Sequence, residues 1–159
     1  MNEKIDLLVQ DLGLRPHPEG GYFSETYRSS QTVSTLRGER QLMTSIFFLL
    51  TSENPSKFHR IQSDELWFFH EGSPMTVHVL DEDGYHPHPL GPAGLTGHQP
   101  FLLVKAGQIF GSTVEEKNAY SLVSCVVAPG FDFRDFELFS KEELLAKWQE
   151  HKEIIERLT

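Results

Sequence analysis

Turn-forming residues recur so often along this chain that only short elements fit between them. Twelve Gly and nine Pro punctuate 159 residues, and the runs between them carry strand-like alternation. Strands are expected at 22–28, 43–50, 58–61, 65–70, 75–80, 85–90, 101–104, 109–113, 119–127 and 131–138. Residues 29–40 are polar and read as a loop. Two segments have helical spacing instead. Ile5, Leu8, Val9 and Leu12 fall on one face of a short N-terminal helix that Asn2 can cap and Gly13 ends. Ser140 and Glu143 form a capping box opening a C-terminal helix, in which Leu144, Trp148, Ile155 and Leu158 share a face. Some ten short strands with a helix at each end specify an all-β sandwich or barrel. The length suits one domain, 1–159, with no repeat or linker dividing it.

Composition excludes several roles. The net charge of −9 opposes nucleic acid and anionic membranes as partners, because both require a basic footprint. No apolar run reaches the ~18 residues of a membrane helix, and the N-terminus lacks a signal-peptide pattern. The single cysteine, Cys125, permits no internal disulfide and sits in an apolar run. These features predict a cytoplasmic protein.

The stretch from Phe58 to Gly72, FHRIQSDELWFFHEG, concentrates the ionisable chemistry. His59 and Glu65 stand among core-forming residues. An unpaired buried carboxylate is costly, so Glu65 either pairs with His59, Arg28 or Arg60 or faces a wet cavity. His59 is either a ligand-facing imidazole or a satisfied core histidine. Strand parity turns Arg60 away from His59, toward a subunit interface if not toward the pocket. Trp67, Phe68 and Phe69 read as core. His86 and His88 read as exposed loop residues. Glu19 and Glu25, flanking the Gly20-Gly21 turn, reach either the pocket mouth or a neighbouring subunit. A change of parity along 131–138 calls for a bulge near Arg134.

The frame His59, Ile61, Glu65, Gly72 resembles the first motif of the cupin superfamily, His-x-His, three or four residues, Glu, six residues, Gly. Ile61 replaces the second histidine. The second motif, Pro-x-Gly-x-x-His, is echoed in residues 105–110, where Gly107 is kept and Lys105 and Phe110 stand for proline and histidine. PHPEGGYFSETYRS, FHRIQSDELWFFHEG and SLVSCVVAPGFDFRDFEL together resemble one small family, cupin family five, over residues 12–139. The resemblance implies a double-stranded β-helix, or jelly roll, and a homodimer, with no settled activity.

Cupins often hold a metal on three His and one Glu. Only His59 and Glu65 match that set, and two ligands rarely hold a divalent ion, so no cofactor is expected. A metal-dependent enzyme with a reduced ligand set would need His17 or His78 as a third ligand. A second reading is metal-free acid–base catalysis on a sugar or other polar anion, similar to the deoxysugar epimerases that use a His base and a Tyr acid. It nominates His59, Glu65, Tyr27 and Tyr120 for proton transfer, and Arg28, Arg60, Asp64 and Glu25 for ligand contact. A third reading keeps the small-molecule pocket and has no reaction.

Overall fold

A computed structural model describes residues 3–159; the expected cap Asn2 lies outside them. Two antiparallel sheets face each other. The elements in chain order are α1 (Glu3–Asp11), β1 (Arg15–Pro16), β2 (Tyr22–Arg28), β3 (Thr32–Thr35), β4 (Gly38–Gln41), β5 (Thr44–Thr51), β6 (Ser56–Arg60), β7 (Asp64–Gly72), β8 (Met75–Asp81), β9 (Gly84–Leu90), β10 (Phe101–Val104), β11 (Ile109–Val114), β12 (Tyr120–Ala128), β13 (Glu137–Leu138), α2 (Lys141–Leu145) and α3 (Lys152–Arg157). One sheet runs β1-β2-β5-β12-β7-β10 and the other β13-β6-β11-β8-β9. This is the all-β class expected from the strand spacing and the jelly-roll architecture implied by the resemblance.

Alternation explains the layers. Phe48 on β5, Trp67 on β7, and Val123 and Cys125 on β12 point inward from the six-stranded sheet. They meet Met75, Val77 and Val79 on β8 and Phe110 on β11 from the other. The intervening residues point outward, and each outer face is partly covered. Leu49 and Leu122 lie under Ile5 of α1 and Leu14. Phe58, Leu80 and Ile109 lie under Leu144, Trp148, Ile155 and Leu158. The C-terminal helix therefore packs on its own sheet.

Three local expectations are corrected. Within the stretch 29–40 expected as a loop, residues from 32 onward form the β3–β4 hairpin, which ends at Gln41. Its register is held from outside, by Arg40 and Arg37 bonding to Asp135 and by Arg37 Nη2 donating to Gln62 O at 2.8 Å. The stretch 131–138 is mostly not a strand: a 3-10 turn covers Phe133–Asp135, and only Glu137–Leu138 pair with β6. This turn produces the parity change attributed to a bulge. The C-terminal helix is interrupted after Leu145. Trp148 leaves helical geometry (φ −122°, ψ 53°), is buried, and donates its indole N–H to Asp81 O at 3.1 Å. The capping box of Ser140 and Glu143 forms as expected.

The Gly20-Gly21 turn has a specific cause. Both residues have positive φ, 110° and 71°, and a Cβ on Gly20 would collide with the Pro55 carbonyl. The pair lets the segment carrying His17 and Glu19 press against the start of β6.

Candidate functional site

A cavity of ≈350 Å³ lies at one end of the interior, between the two sheets. Inward parity delivers its floor. Glu65 comes from β7, Cys125 and Val127 from β12, Ile46 and Phe48 from β5, and His59 from β6. The segment before the glycine turn adds His17 and Glu19. Phe131, Asp132 and Phe133 form the outer wall, with Arg15, Glu25 and Arg28 near the mouth.

The deepest contact is between His59 and Glu19, which are 2% and 5% exposed. His59 Nε2 lies 3.1 Å from Glu19 Oε2. His59 Nδ1 lies 2.7 Å from Lys57 O. A carbonyl only accepts, so Nδ1 carries the proton. Neutral His59 then presents a bare Nε2 to Glu19, and the proton between them belongs to the carboxyl. The electrostatics agree. Burial lowers the His59 pKa to about 3, outweighing the bond to Lys57 O. Burial, and then the nearby Glu65 charge, push Glu19 well above the carboxylate range, against the opposing Ser56 bond. Ser56 Oγ donates to Glu19 Oε1 at 2.8 Å. The Phe110 and Phe136 rings, 4.2 and 5.5 Å from the imidazole, supply the apolar surroundings. Hydrogen-bonded and neutral, the pair avoids the cost of two buried charges.

Glu65 is raised to about 7, again chiefly by burial. The Cys125 thiol is its hydrogen-bonding neighbour, and that thiol is itself pushed up by burial and by both acids. The Trp67 indole N–H also lies beside Glu65, but closes no hydrogen bond of ordinary geometry among the described residues. Glu65 therefore changes charge near neutrality while facing the cavity.

At the mouth, Arg28 Nε and Nη2 donate to Glu25 at 2.9 and 2.8 Å. The Arg28 bond is the main reason the Glu25 pKa is lowered. Arg28 also reaches Gln41 Oε1 at 3.1 Å and the Phe131 carbonyl. Thr44 Oγ1 accepts from Phe131 N–H at 2.9 Å, and Gln41 O accepts from Gly130 N–H at 2.7 Å. The outer wall is thus hung from β2, β4 and β5.

Of the residues nominated from sequence, His59, Glu65, Arg28 and Glu25 meet at this cavity. The other four do not. Tyr27 is half-exposed on β2. Tyr120 lies in the cluster under α1, where its hydroxyl donates to Glu71 at 2.9 Å; burial and that bond raise its pKa to about 12. Arg60 follows the expected parity outward and pairs with Glu137 at 2.6 Å. Asp64 is exposed and accepts from Ala106 N–H at 2.9 Å. Among the described residues no tyrosine lines the cavity, so a His–Tyr proton-transfer pair has no counterpart here. Glu19 and His17 reach the site, and Arg15 and Cys125 join them without a sequence signal that marked them.

The side chains nearest to a cupin-like donor set are engaged with protein partners. Ile61 and Phe110 hold the positions of two cupin histidines, and His59 has one nitrogen on Lys57 O and the other on Glu19. His17 Nδ1 accepts from Glu19 N–H at 3.2 Å. His78, on the far side of β8, bonds Tyr85 and Thr113. Among the described residues no group of three His, Cys, Asp or Glu is arranged to hold an ion.

The pH dependence of stability follows from the shifts. The unfolded Glu65 titrates at its ordinary value of 4.5 and the folded one is raised to about 7. Between these values the folded chain binds more protons, so stability falls as pH rises through that window. His17 and His59, depressed to about 4 and about 3, act oppositely and lose stability as pH falls below 6.5. Their effect is common to parent and variant. Glu65→Gln should therefore gain on the parent between pH 5 and pH 8, by up to roughly 3 kcal/mol. Urea melts at both pH values measure this, and parallel slopes would refute it.

Known proteins place this architecture. A family model described as Cupin superfamily (DUF985) matches residues 6–139. The uncharacterized protein YML079W of Saccharomyces cerevisiae is 31% identical, over 89% of this chain and 78% of its own. The solved structure of protein SO0799 from Shewanella oneidensis is 41% identical, with a TM-score of 0.89 over 97% of this chain and 96% of that one. A solved oxalate decarboxylase of Bacillus subtilis shares the fold at a TM-score of 0.57 and 19% identity, over 94% of this chain and 38% of its own. Among the described residues no helix is long and apolar enough to cross a membrane. Matched by that family model over residues 6–139, the chain belongs to the Cupin_5 family of the cupin superfamily.

Proposed function

We propose that the cavity binds one small polar molecule and moves a proton on it, in an isomerase- or epimerase-like reaction. The observation that carries this reading is Glu65, a carboxyl that changes charge at about 7 while facing a cavity of ligand size. A base poised near working pH is the efficient one. Ionised Glu65 takes a proton from a carbon next to a carbonyl. The electron pair moves to the carbonyl oxygen, which receives the proton held between Glu19 and His59. The hydroxyl on the deprotonated carbon then returns a proton to the pair as it becomes the new carbonyl, and Glu65 delivers its own proton to the former carbonyl carbon. The cavity's apolar walls, Phe48 and Ile46 among them, strengthen these interactions by excluding water.

The reaction is read by solvent exchange. Keto-sugars and hydroxyketones incubated with the protein in D2O should acquire deuterium at the carbon beside the carbonyl. Glu65→Gln should slow this by about 100-fold or more. A panel member that binds without exchanging would leave a binding protein in place of an enzyme.

We also propose that a second copy of the chain packs on the outer face of the six-stranded sheet. Phe68 and Phe101 are paired across β7 and β10 with Leu103 beside them, each exposed by more than a third of its surface. A contiguous apolar patch next to an edge strand suits a subunit contact. Sedimentation should report a dimer at micromolar concentration and a monomer for Phe101→Glu. A monomeric parent would contradict it.

A further inference from the structure

Most charges facing the cavity are already spent. Glu25 is held by Arg28 through two bonds. Asp132 is held by Arg134 through two more, 2.9 and 2.8 Å. Glu19 is neutral against His59. Two groups remain: Glu65 at the floor and the Arg15 guanidinium at the mouth.

Arg15 is placed by structure on both sides. It lies on β1, opposite Phe23 of β2, and its guanidinium carbon sits 5.0 Å from the Phe23 ring centre. The ring face holds the cation without using its N–H donors, which stay available. Glu25 feels its charge, but is engaged by Arg28. Among the described residues Arg15 has no carboxylate within ion-pair distance. The two arginines nominated from sequence for anion binding are both committed, Arg28 to Glu25 and Arg60 to Glu137.

We propose that Arg15 is the anion-recognition residue of the cavity, and that the ligand is a small oxyanion, a carboxylate or phosphate ester, bearing a hydroxyl or carbonyl at its other end. The assignment rests on the proton-transfer reading above and adds a substrate class to it. The net charge of −9 repels anions at long range, so an anionic ligand requires a local cation such as this one. A planar fork of donors suits both carboxylate and phosphate. The ligand then spans the cavity, its charge at Arg15 and its reactive end at Glu65, with Phe23, Phe131 and Phe133 along its length.

The test is calorimetric titration with three matched probes: glucose, glucuronate and glucose 6-phosphate. The parent should bind at least one charged probe about tenfold or more tightly than glucose, the worth of a charge-assisted hydrogen bond. Which charged probe is favoured separates a carboxylate from a phosphate site. Arg15→Gln should remove the preference, Arg15→Lys should restore part of it, and Arg60→Gln should leave it unchanged. A preference surviving in Arg15→Gln overturns the assignment, as does equal binding of the three probes or none by the parent. Deuterium exchange on a neutral ketose without any anion preference would sink this assignment alone. An anion preference without exchange would sink the proton-transfer reading alone.

Discussion

A carboxyl and an imidazole buried in contact, sharing one proton, are the constraint on which the rest of the site depends. Either group alone would carry an unmet polar cost inside the barrel. Together, with Lys57 O behind the imidazole and Ser56 Oγ behind the carboxyl, every strong donor and acceptor in the pair is used. The arrangement also sets the neighbouring chemistry. The proximity of a second acid, Glu65, helps keep Glu19 protonated, and the same dry surroundings lift Glu65 itself toward neutrality.

Fold and site are coupled through a few non-local contacts. The glycine pair at 20–21 lets the His17–Glu19 segment approach β6, and Lys57 N–H bonds Glu19 O at 2.7 Å there. The outer wall depends on the β3–β4 hairpin, whose Arg40 side chain is 2% exposed and bonds Asp135 twice, at 2.8 and 3.0 Å. Phe131 is held by Thr44 and Arg28. The wall is therefore set partly by Arg40, Asp135 and Gln41, which do not line the cavity, and loosening them would reshape the mouth while leaving the floor intact.

What the sequence made legible was what strand parity controls. Alternation along β6 and β7 places His59 and Glu65 inward and Arg60 outward, because the period of two is local. The strands at 22–28 and 101–104 were readable from their bounding turns. The hairpin at 32–41 was not: its residues are polar, and its partner Asp135 is about a hundred positions away. The break in the C-terminal helix was hidden as well. Leu144, Trp148 and Ile155 do share a buried cluster, yet burying Trp148 and its bond to Asp81 required leaving the helix. The tyrosines failed as site residues because their type suggested chemistry while their positions lay on other surfaces. Arg15 gave no signal, since its role depends on Phe23 across a two-residue strand and on Arg28 being occupied.

The central claim is the protonation state of the Glu19–His59 pair, and nitrogen-15 NMR of the His59 side chain reads it directly. Neutral imidazole with the proton on Nδ1 and an accepting Nε2 should persist from pH 5 to pH 8, and Glu19→Gln should shift the Nε2 resonance. An imidazolium at pH 7, or a neutral ring protonated on Nε2, would contradict the account.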